Sequence, residues 1–269
     1  MGVKLTKGSV YNDSLTALKG FGRWQKFRIS KIEEVSPDTR RFTFELPTQN
    51  SVLGFKPISC VLSNVSGKWG PWNIRPYTPV TNSGKKGEFQ LVIKHMPGGK
   101  MSGLFFNLKE SDSVSFMGPV CKYDWKPNKF EQVNLLCGGS GITPMFQLIR
   151  HILENPNDKT KVNLFYANKT KDDILLRNEL EGLKQRYPGR ISLNYYIEKG
   201  TTEDGIKKGY IAKDDLLKID PAKSTMFFLC GPDPFIKAYA GSKGMFGRQN
   251  SVSGILGELG YNASQVFRL

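Results

Sequence analysis

Four short segments bring together residue types suited to holding phosphates and a planar ring. The first, Cys137-Gly138-Gly139-Ser140-Gly141-Ile142-Thr143-Pro144, follows the apolar run Val133 to Cys137. Glycines directly after a strand let the backbone approach a ligand, and the helix N-terminus that follows offers N–H groups to a phosphate. Pro144 stands where the G-x-G-x-x-G fingerprint has its third glycine, so an ordinary glycine-rich βα turn remains the alternative. The second, Cys230-Gly231-Pro232-Asp233-Pro234, also follows an apolar strand. Its plain reading is a buried strand-end cysteine and a turn, and its chemical reading sets a small polarisable sulfur against a planar ligand. Together the two favour a dinucleotide lying across the carboxyl ends of the strands.

The third segment, Arg75-Pro76-Tyr77-Thr78, combines a bidentate cation, a stiff turn, a planar ring and a hydroxyl. Arginine fits a pyrophosphate and tyrosine can cover a ring system, although Tyr77 alone would also serve as barrel packing. The fourth, Gly98-Gly99-Lys100-Met101-Ser102, puts N–H groups, an ammonium and a hydroxyl at a helix start, an anion site by the same electrostatic argument.

These residues need elements to hold them. In the first half, Phe27 to Val35, Thr39 to Leu46, Gly87 to His95 and Ser113 to Phe116 are rich in β-branched and aromatic residues, with turn formers between them. One helix interrupts them, Lys100 to Leu108, with Met101, Leu104, Phe105 and Leu108 at helical spacing. Six or so strands and a helix imply a small antiparallel barrel. Beyond a polar linker within Lys122 to Glu131, β and α patterns alternate. Strands are expected at Val133–Cys137, Val162–Ala167, Ile191–Ile197, Met226–Cys230 and Gln265–Leu269, and helices at Pro144–Leu153, Ile174–Tyr187, Ala212–Lys218, Pro234–Tyr239 and Val252–Leu259. That rhythm predicts a doubly wound parallel sheet. The expected division is an N-terminal arm over 1–23, the barrel domain over 24–124 and the α/β domain over 125–269.

Composition narrows the chemistry. The 269 residues include 39 Lys and Arg against 24 Asp and Glu, a formal charge of +15, so an anionic partner is expected. The lysines are dispersed and form no aromatic-interleaved stripe, which argues against nucleic acid. Four cysteines without a C-x-x-C and two histidines leave no spacing for zinc, attached haem or an iron–sulfur cluster, so no metal is expected. The uncharged stretch Gln132 to Ile149 contains three glycines and a proline and is not read as a membrane span. Met1-Gly2 with Thr6 matches the minimal myristoylation pattern.

The ordered motifs closely resemble the ferredoxin reductase-like flavoproteins, and among them the NADH–cytochrome b5 reductases of the mitochondrial fungal branch. The similarity runs from about Trp24 to Phe267 and includes Asp38-Thr39-Arg40-Arg41-Phe42 and Asp173-Ile174-Leu175-Leu176-Arg177. The resemblance implies a six-stranded antiparallel Greek-key barrel binding FAD, followed by a doubly wound domain binding NADH. It implies Arg75, with Pro76, on the FAD pyrophosphate, Tyr77 against the flavin ring and Thr78 near its reactive nitrogen. Val92, Lys94 and His95 would line the flavin, and Gly99, Lys100, Met101 and Ser102 would cradle its phosphates, with Thr143 approaching from the other domain. Gly139, Ser140 and Gly141 would face the NADH pyrophosphate, and Cys230, Gly231 and Pro232 would hold the nicotinamide. Thr78 and Cys230 are the expected catalytic residues.

The expected reaction passes a hydride from NADH to FAD and then single electrons to cytochrome b5 or a similar acidic haem protein. A related reductase serving a ferric chelate, a quinone or another haem protein is the alternative. Glu198 ends Leu193-Asn194-Tyr195-Tyr196-Ile197-Glu198, where family members carry an acid that disfavours a 2′-phosphate. Lys169 and Lys171 could instead meet such a phosphate, so NADPH use stays open. A monomer is expected, in the mitochondrial outer membrane or intermembrane space or at the cytosolic face of a membrane. The presegment and hydrophobic anchor usual in the branch are not found, and a soluble chain with no transmembrane segment is expected. The ending Phe267-Arg268-Leu269 and the loop Trp69-Gly70-Pro71-Trp72 depart from the branch.

Overall fold

The computed structural model describes residues 15–65, 74–202, 205–219, 225–242 and 251–269. The first 14 residues of the expected arm, with the Met1-Gly2-Thr6 pattern, and the loop Trp69-Gly70-Pro71-Trp72 lie outside the described residues. The chain divides into two compact units, Gly2–Trp125 and Lys126–Leu269.

In the first unit, β1 (Gly20–Ser36), β2 (Thr39–Glu45), β3 (Ser59–Asn64), β4 (Arg75–Tyr77), β5 (Glu88–Lys94) and β6 (Ser113–Cys121) form one sheet in the order β4-β3-β6-β1-β2-β5. All neighbours are antiparallel. The sheet curls because β1 serves both halves. Its first part pairs with β6 and its second with β2, and register shifts at Ile29/Lys31 and Glu34/Ser36 let it bend between them. The edges approach each other just past β4, where the Val80 N–H donates to the Gln90 carbonyl of β5 at 3.0 Å.

Alternation sends Phe27, Phe42, Phe44, Phe89 and Phe116 into the core. Phe44 stacks on Phe89 at 4.9 Å and meets Phe116 edge-on at 5.0 Å, while Phe89 meets Phe27 at 5.5 Å. Each such ring contributes roughly 1.5–3 kcal/mol by leaving water. Ala17 and Leu18 are buried in the same core, so the chain from about residue 16 packs as part of this unit. The helix α1 (Lys100–Phe106) lays Met101 and Phe105 on this core.

Sequence patterning had no mark for β3 or β4. The first reads Ser-Cys-Val-Leu-Ser-Asn, without clean alternation, and the second is three residues long with a central proline, tolerable because it is an edge strand.

In the second unit, β7 (Gln132–Gly138), β8 (Lys161–Asn168), β9 (Ile191–Ile197), β10 (Ile206–Lys208), β11 (Thr225–Cys230) and β12 (Val266–Arg268) make a wholly parallel sheet ordered β10-β9-β8-β7-β11-β12. The chain winds outward from β7 through β8 and β9 to β10, then returns to place β11 on the other side of β7. The gap between β7 and β11 is therefore the topological switch point, where open α/β sheets bind ligands.

The helix α2 (Ile142–Glu154) buries Ile142, Met145, Phe146, Leu148, Ile149, Ile152 and Leu153 and packs on β7 and β11. The helix α3 (Arg177–Arg186) packs on β9. One sheet face carries Leu136, Phe165, Tyr196, Phe227 and Leu229. It is covered by α4 (Lys213–Leu217), α5 (Asp233–Ala240) and α6 (Gly254–Glu258) through Leu216, Ile236, Tyr239 and Leu256.

The helix expected from Ile174 starts three residues later. Thr170 and Asp173 close a capping box around a 3-10 turn, and Leu176 takes φ +59°, so Ile174, Leu175 and Leu176 are buried in an irregular link before α3 begins.

Candidate cofactor sites

In the first unit, β4, the end of β5 and the start of α1 carry the expected flavin residues. Arg75 and Pro76 are exposed and Tyr77 and Thr78 half-buried. The Tyr77 ring meets Phe105 of α1 edge-on at 5.2 Å, which joins β4 to the helix. Burial pushes the Tyr77 phenol up to about 12, with Arg75 pulling the other way, so the ring stays neutral. The Arg75 guanidinium donates to the Ile74 carbonyl at 2.8 Å.

On β5, Val92 is buried, and alternation puts it with Lys94 on the face opposite the core residues Phe89, Leu91 and Ile93. Lys94 pairs with Asp38 at 3.1 Å. Burial works to raise the Asp38 carboxyl, but the bonds from Lys94, Ser36 and Thr39 hold it below its usual value. The His95 ring lies 5.0 Å from Phe106, whose other contact is the Arg40 guanidinium at 4.6 Å.

The turn into α1 closes on itself. The Ser102 hydroxyl accepts from the Met96 N–H at 3.0 Å and donates to the Gly99 carbonyl at 3.1 Å. A Cβ on Gly99 would come within 2.7 Å of that hydroxyl and 2.9 Å of the Met96 carbonyl, so packing within the turn requires this glycine. The Ser102 proton is thereby spent. What remains for an anion are the first N–H groups of α1, which receive no side-chain cap, and the exposed Lys100 ammonium.

In the second unit, Cys137 and Cys230 are register partners at the ends of β7 and β11, and the two motifs that follow them pack side by side. A Cβ on Gly141 would run into the Cys230 carbonyl. One on Gly231 would lie 2.9 Å from the Phe235 ring and 3.2 Å from the Gly138 nitrogen, and one on Gly138 would touch Pro232 and Phe235 at 3.4 Å. Gly141 and Gly231 are required by chain meeting chain, whereas the neighbours of Gly138 stand at ordinary contact distance. Gly139 differs: it has φ +53°, and nothing stands within 4 Å of where its Cβ would be. It and the exposed Ser140 form the part of the turn open to a ligand.

Two supports for this turn had no signal in the sequence. Tyr166 of β8, fully buried, donates its hydroxyl to the Gly139 carbonyl at 3.0 Å and accepts from the Leu175 N–H at 3.2 Å. Burial pushes this phenol well up. Phe235 of α5 lies over Gly138 and Gly231. Two residues along β8 from Tyr166, Asn168 buries both polar atoms of its amide without a hydrogen bond of proper geometry, beside the Tyr166 hydroxyl.

Thr143 donates to the Ser140 carbonyl at 3.2 Å and is buried. Glu198, just past β9, is exposed. Its N–H donates to the Asn168 carbonyl at 3.1 Å, and the Lys199 N–H donates to the Lys169 carbonyl at 2.8 Å. The structure therefore brings Glu198 and Lys169 to adjacent strand ends, with Lys171 exposed in the following turn.

The comparisons with known proteins fall on these same segments. An oxidoreductase FAD-binding domain model matches residues 26–125, and an oxidoreductase NAD-binding domain model matches residues 135–241. The chain is 48% identical over 275 residues to NADH-cytochrome b5 reductase 2-B of Vanderwaltozyma polyspora, covering all of this chain and 90% of that one. The chain belongs to the NADH–cytochrome b5 reductase family. Another member, NADH-cytochrome b5 reductase 2 of Saccharomyces cerevisiae, is 47% identical over 264 residues, 96% of this chain and 87% of its own. Among solved structures, the cytochrome b5 reductase domain of Ulva prolifera nitrate reductase superposes with a TM-score of 0.79 at 27% identity. That match covers 94% of this chain and all of the other. In this reductase family member, the FAD-binding match ends where the first unit ends, at Trp125.

Proposed function

We propose that the chain takes a hydride from NADH on FAD and passes single electrons to cytochrome b5 or a similar acidic haem protein. The observation that carries the reading is the pair of abutting turns at the switch point of the second unit, Gly138 to Gly141 and Cys230 to Pro232, with Gly139 and Ser140 left open. FAD and NADH supply the redox chemistry when bound, and the chain supplies orientation and electrostatics.

In this reading the domains are an arm over 1–23, an FAD-binding barrel over 24–124 and an NADH-binding domain over 125–269. Arg75 and Pro76 hold the FAD pyrophosphate, and the segment Gly99, Lys100, Met101 and Ser102 meets it at the start of α1 through its backbone N–H groups and the Lys100 ammonium. Tyr77, Val92, Lys94 and His95 flank the ring system, and Thr78 holds a hydrogen bond to it. The neutral Tyr77 phenol suits a ring face, since no charge is stranded there. Gly139, Ser140 and Gly141 receive the NADH pyrophosphate, with Thr143 bracing the turn. Cys230, Gly231 and Pro232 position the nicotinamide, and Glu198 disfavours a 2′-phosphate. The reading also takes the protein as a monomer working at a mitochondrial membrane surface. Among the described residues no helix is long and apolar enough to cross a membrane.

The test is direct. The purified protein is expected to be yellow, to be bleached anaerobically by NADH and only slowly by NADPH, and then to reduce cytochrome b5. A colourless protein that takes up no added FAD overturns the proposal.

A further inference from the structure

The mechanism uses the Cys230 loop but leaves Cys137 without a role. The two residues are register partners on adjacent parallel strands, Cys137 next to the end of β7 and Cys230 the last residue of β11. Neighbouring strands lie about 4.8 Å apart, inside the Cα separation of about 4.4–6.8 Å that disulfides span. Registered partners also send their side chains to the same sheet face. Neither thiol is in a disulfide, and they differ in access: Cys137 is fully buried and Cys230 half-buried.

We propose that Cys230 and Cys137 are a modification site, an oxidisable pair that a hydroperoxide closes into a disulfide beneath the coenzyme turn. Cys230, the accessible thiol, is oxidised first. Its sulfur takes one oxygen from the hydroperoxide to become a sulfenic acid, and the hydroperoxide leaves as water or an alcohol. The Cys137 sulfur then forms the S–S bond, the hydroxyl of the sulfenic acid departs, and the Cys137 proton joins it as water. Two thiols lose two electrons and two protons, and the hydroperoxide is reduced. Burial and the neighbouring Cys230 raise the Cys137 thiol well above its ordinary value, which suits it to this second, intramolecular role and not to the first attack.

The molecule contains its own control. Cys60 and Cys121 also lie on adjacent strands, but Cys60 is the partner of Val120 and Cys121 of Ser59, so their side chains leave opposite faces of the sheet. No crosslink forms there.

The consequence for activity rests on the proposed NADH site. The bond would tie the Cys230-Gly231 turn to the end of β7, where Gly141 already touches the Cys230 carbonyl, and would hinder the nicotinamide from seating. The experiment treats the full, reduced chain with equimolar hydrogen peroxide, blocks remaining thiols with iodoacetamide and maps them by peptide mass spectrometry. A Cys137–Cys230 crosslink, two hydrogen masses lighter and reversed by dithiothreitol, is expected, with Cys60 and Cys121 still alkylated. Cys137→Ala and Cys137→Val should instead accumulate the sulfinic or sulfonic acid at Cys230. Peroxide that leaves both thiols alkylated, or oxidises Cys230 equally irreversibly with Cys137 present, overturns the site. Titration of the crosslinked and reduced chains with NADH, followed by fluorescence, should show affinity falling about tenfold or more and recovering with dithiothreitol. Crosslinking with no change in NADH affinity overturns the coupling to the coenzyme and leaves the thiol chemistry standing. No NADH binding by the reduced chain refutes the functional reading instead.

Discussion

In the first unit the glycine turn before α1 is closed by its own residues, with Ser102 bonded to Met96 and Gly99. In the second unit the turn before α2 is closed by its neighbours, with Gly141 against Cys230, Gly138 against Phe235 and the Gly139 carbonyl held by Tyr166. The two turns look alike as sequence, small residues ahead of a helix. Their glycines nonetheless exist for different reasons: Gly99, Gly141 and Gly231 are held by contacts, while Gly98 in the first turn and Gly139 in the second have empty space on the Cβ side together with a left-handed backbone. A glycine-rich segment thus mixes positions that serve packing with one that leaves room for a ligand. Substitution separates the two.

The largest effect is expected at Gly141. A methyl there must displace the Cys230 carbonyl, which is backbone and cannot rotate away. Overpacking of this kind costs about 1–3 kcal/mol. Gly141→Ala should lower the unfolding free energy by that amount in urea and reduce NADH affinity at least about tenfold. A variant with native stability and native affinity would show that the two turns do not meet in solution.

Much of this architecture was legible because its signals are local. Leu-Leu-Cys-Gly-Gly, Phe-Phe-Leu-Cys-Gly and the apolar spacing of α2 mark their elements without reference to the rest of the chain, and the strands β7, β8, β9, β11 and β12 fell within a residue or two of their expected bounds. By contrast, β1 starts seven residues earlier and β6 ends five residues later than expected, and the three-residue β10 was unmarked. The switch point was legible only as far as both turns follow strands, since their adjacency depends on β11 returning beside β7. Tyr166 and Phe235 were not legible at all. Each is an aromatic residue in an apolar run, and only the fold decides that one reaches the Gly139 carbonyl and the other covers two glycines. The Ser102 hydroxyl was counted as part of the anion site because sequence does not say which acceptor it finds first. The structure gives its proton to Gly99.

The charge of the two units also differs. Residues 1–125 carry 18 Lys and Arg against 9 Asp and Glu, and residues 126–269 carry 21 against 15. Both are basic, the first more so for its length. If this excess steers an acidic haem protein, turnover with cytochrome b5 should fall about tenfold between roughly 10 mM and 300 mM salt, as the screening length shrinks. Turnover with a small neutral acceptor should not. Parallel salt curves for both acceptors would detach the charge from the encounter.

A smaller shift is expected at Glu198, which is exposed and tied to the sheet only through its backbone, so its side chain can change without disturbing β8 or β9. Glu198→Arg should raise kcat/KM for NADPH relative to NADH by about tenfold, because it replaces repulsion of a 2′-phosphate with attraction. An unchanged ratio would make Glu198 a solvated charge and move the selectivity question to Lys169 and Lys171.

The smallest effect returns to α1 and inverts the first. Gly103 lies inside the helix, and nothing stands within 4 Å of where its Cβ would be. A glycine there costs roughly 0.5–1 kcal/mol relative to alanine through backbone entropy. Gly103→Ala should therefore stabilise the FAD-free protein by that amount, read as a higher Tm, where Gly141→Ala destabilises. The FAD-loaded protein makes the comparison sharper. If the stabilisation persists with FAD bound, the open side of Gly103 faces solvent and its glycine is unexplained by packing or ligand. If it vanishes on FAD binding, Gly103 is to the first turn what Gly139 is to the second, a position left bare for the cofactor.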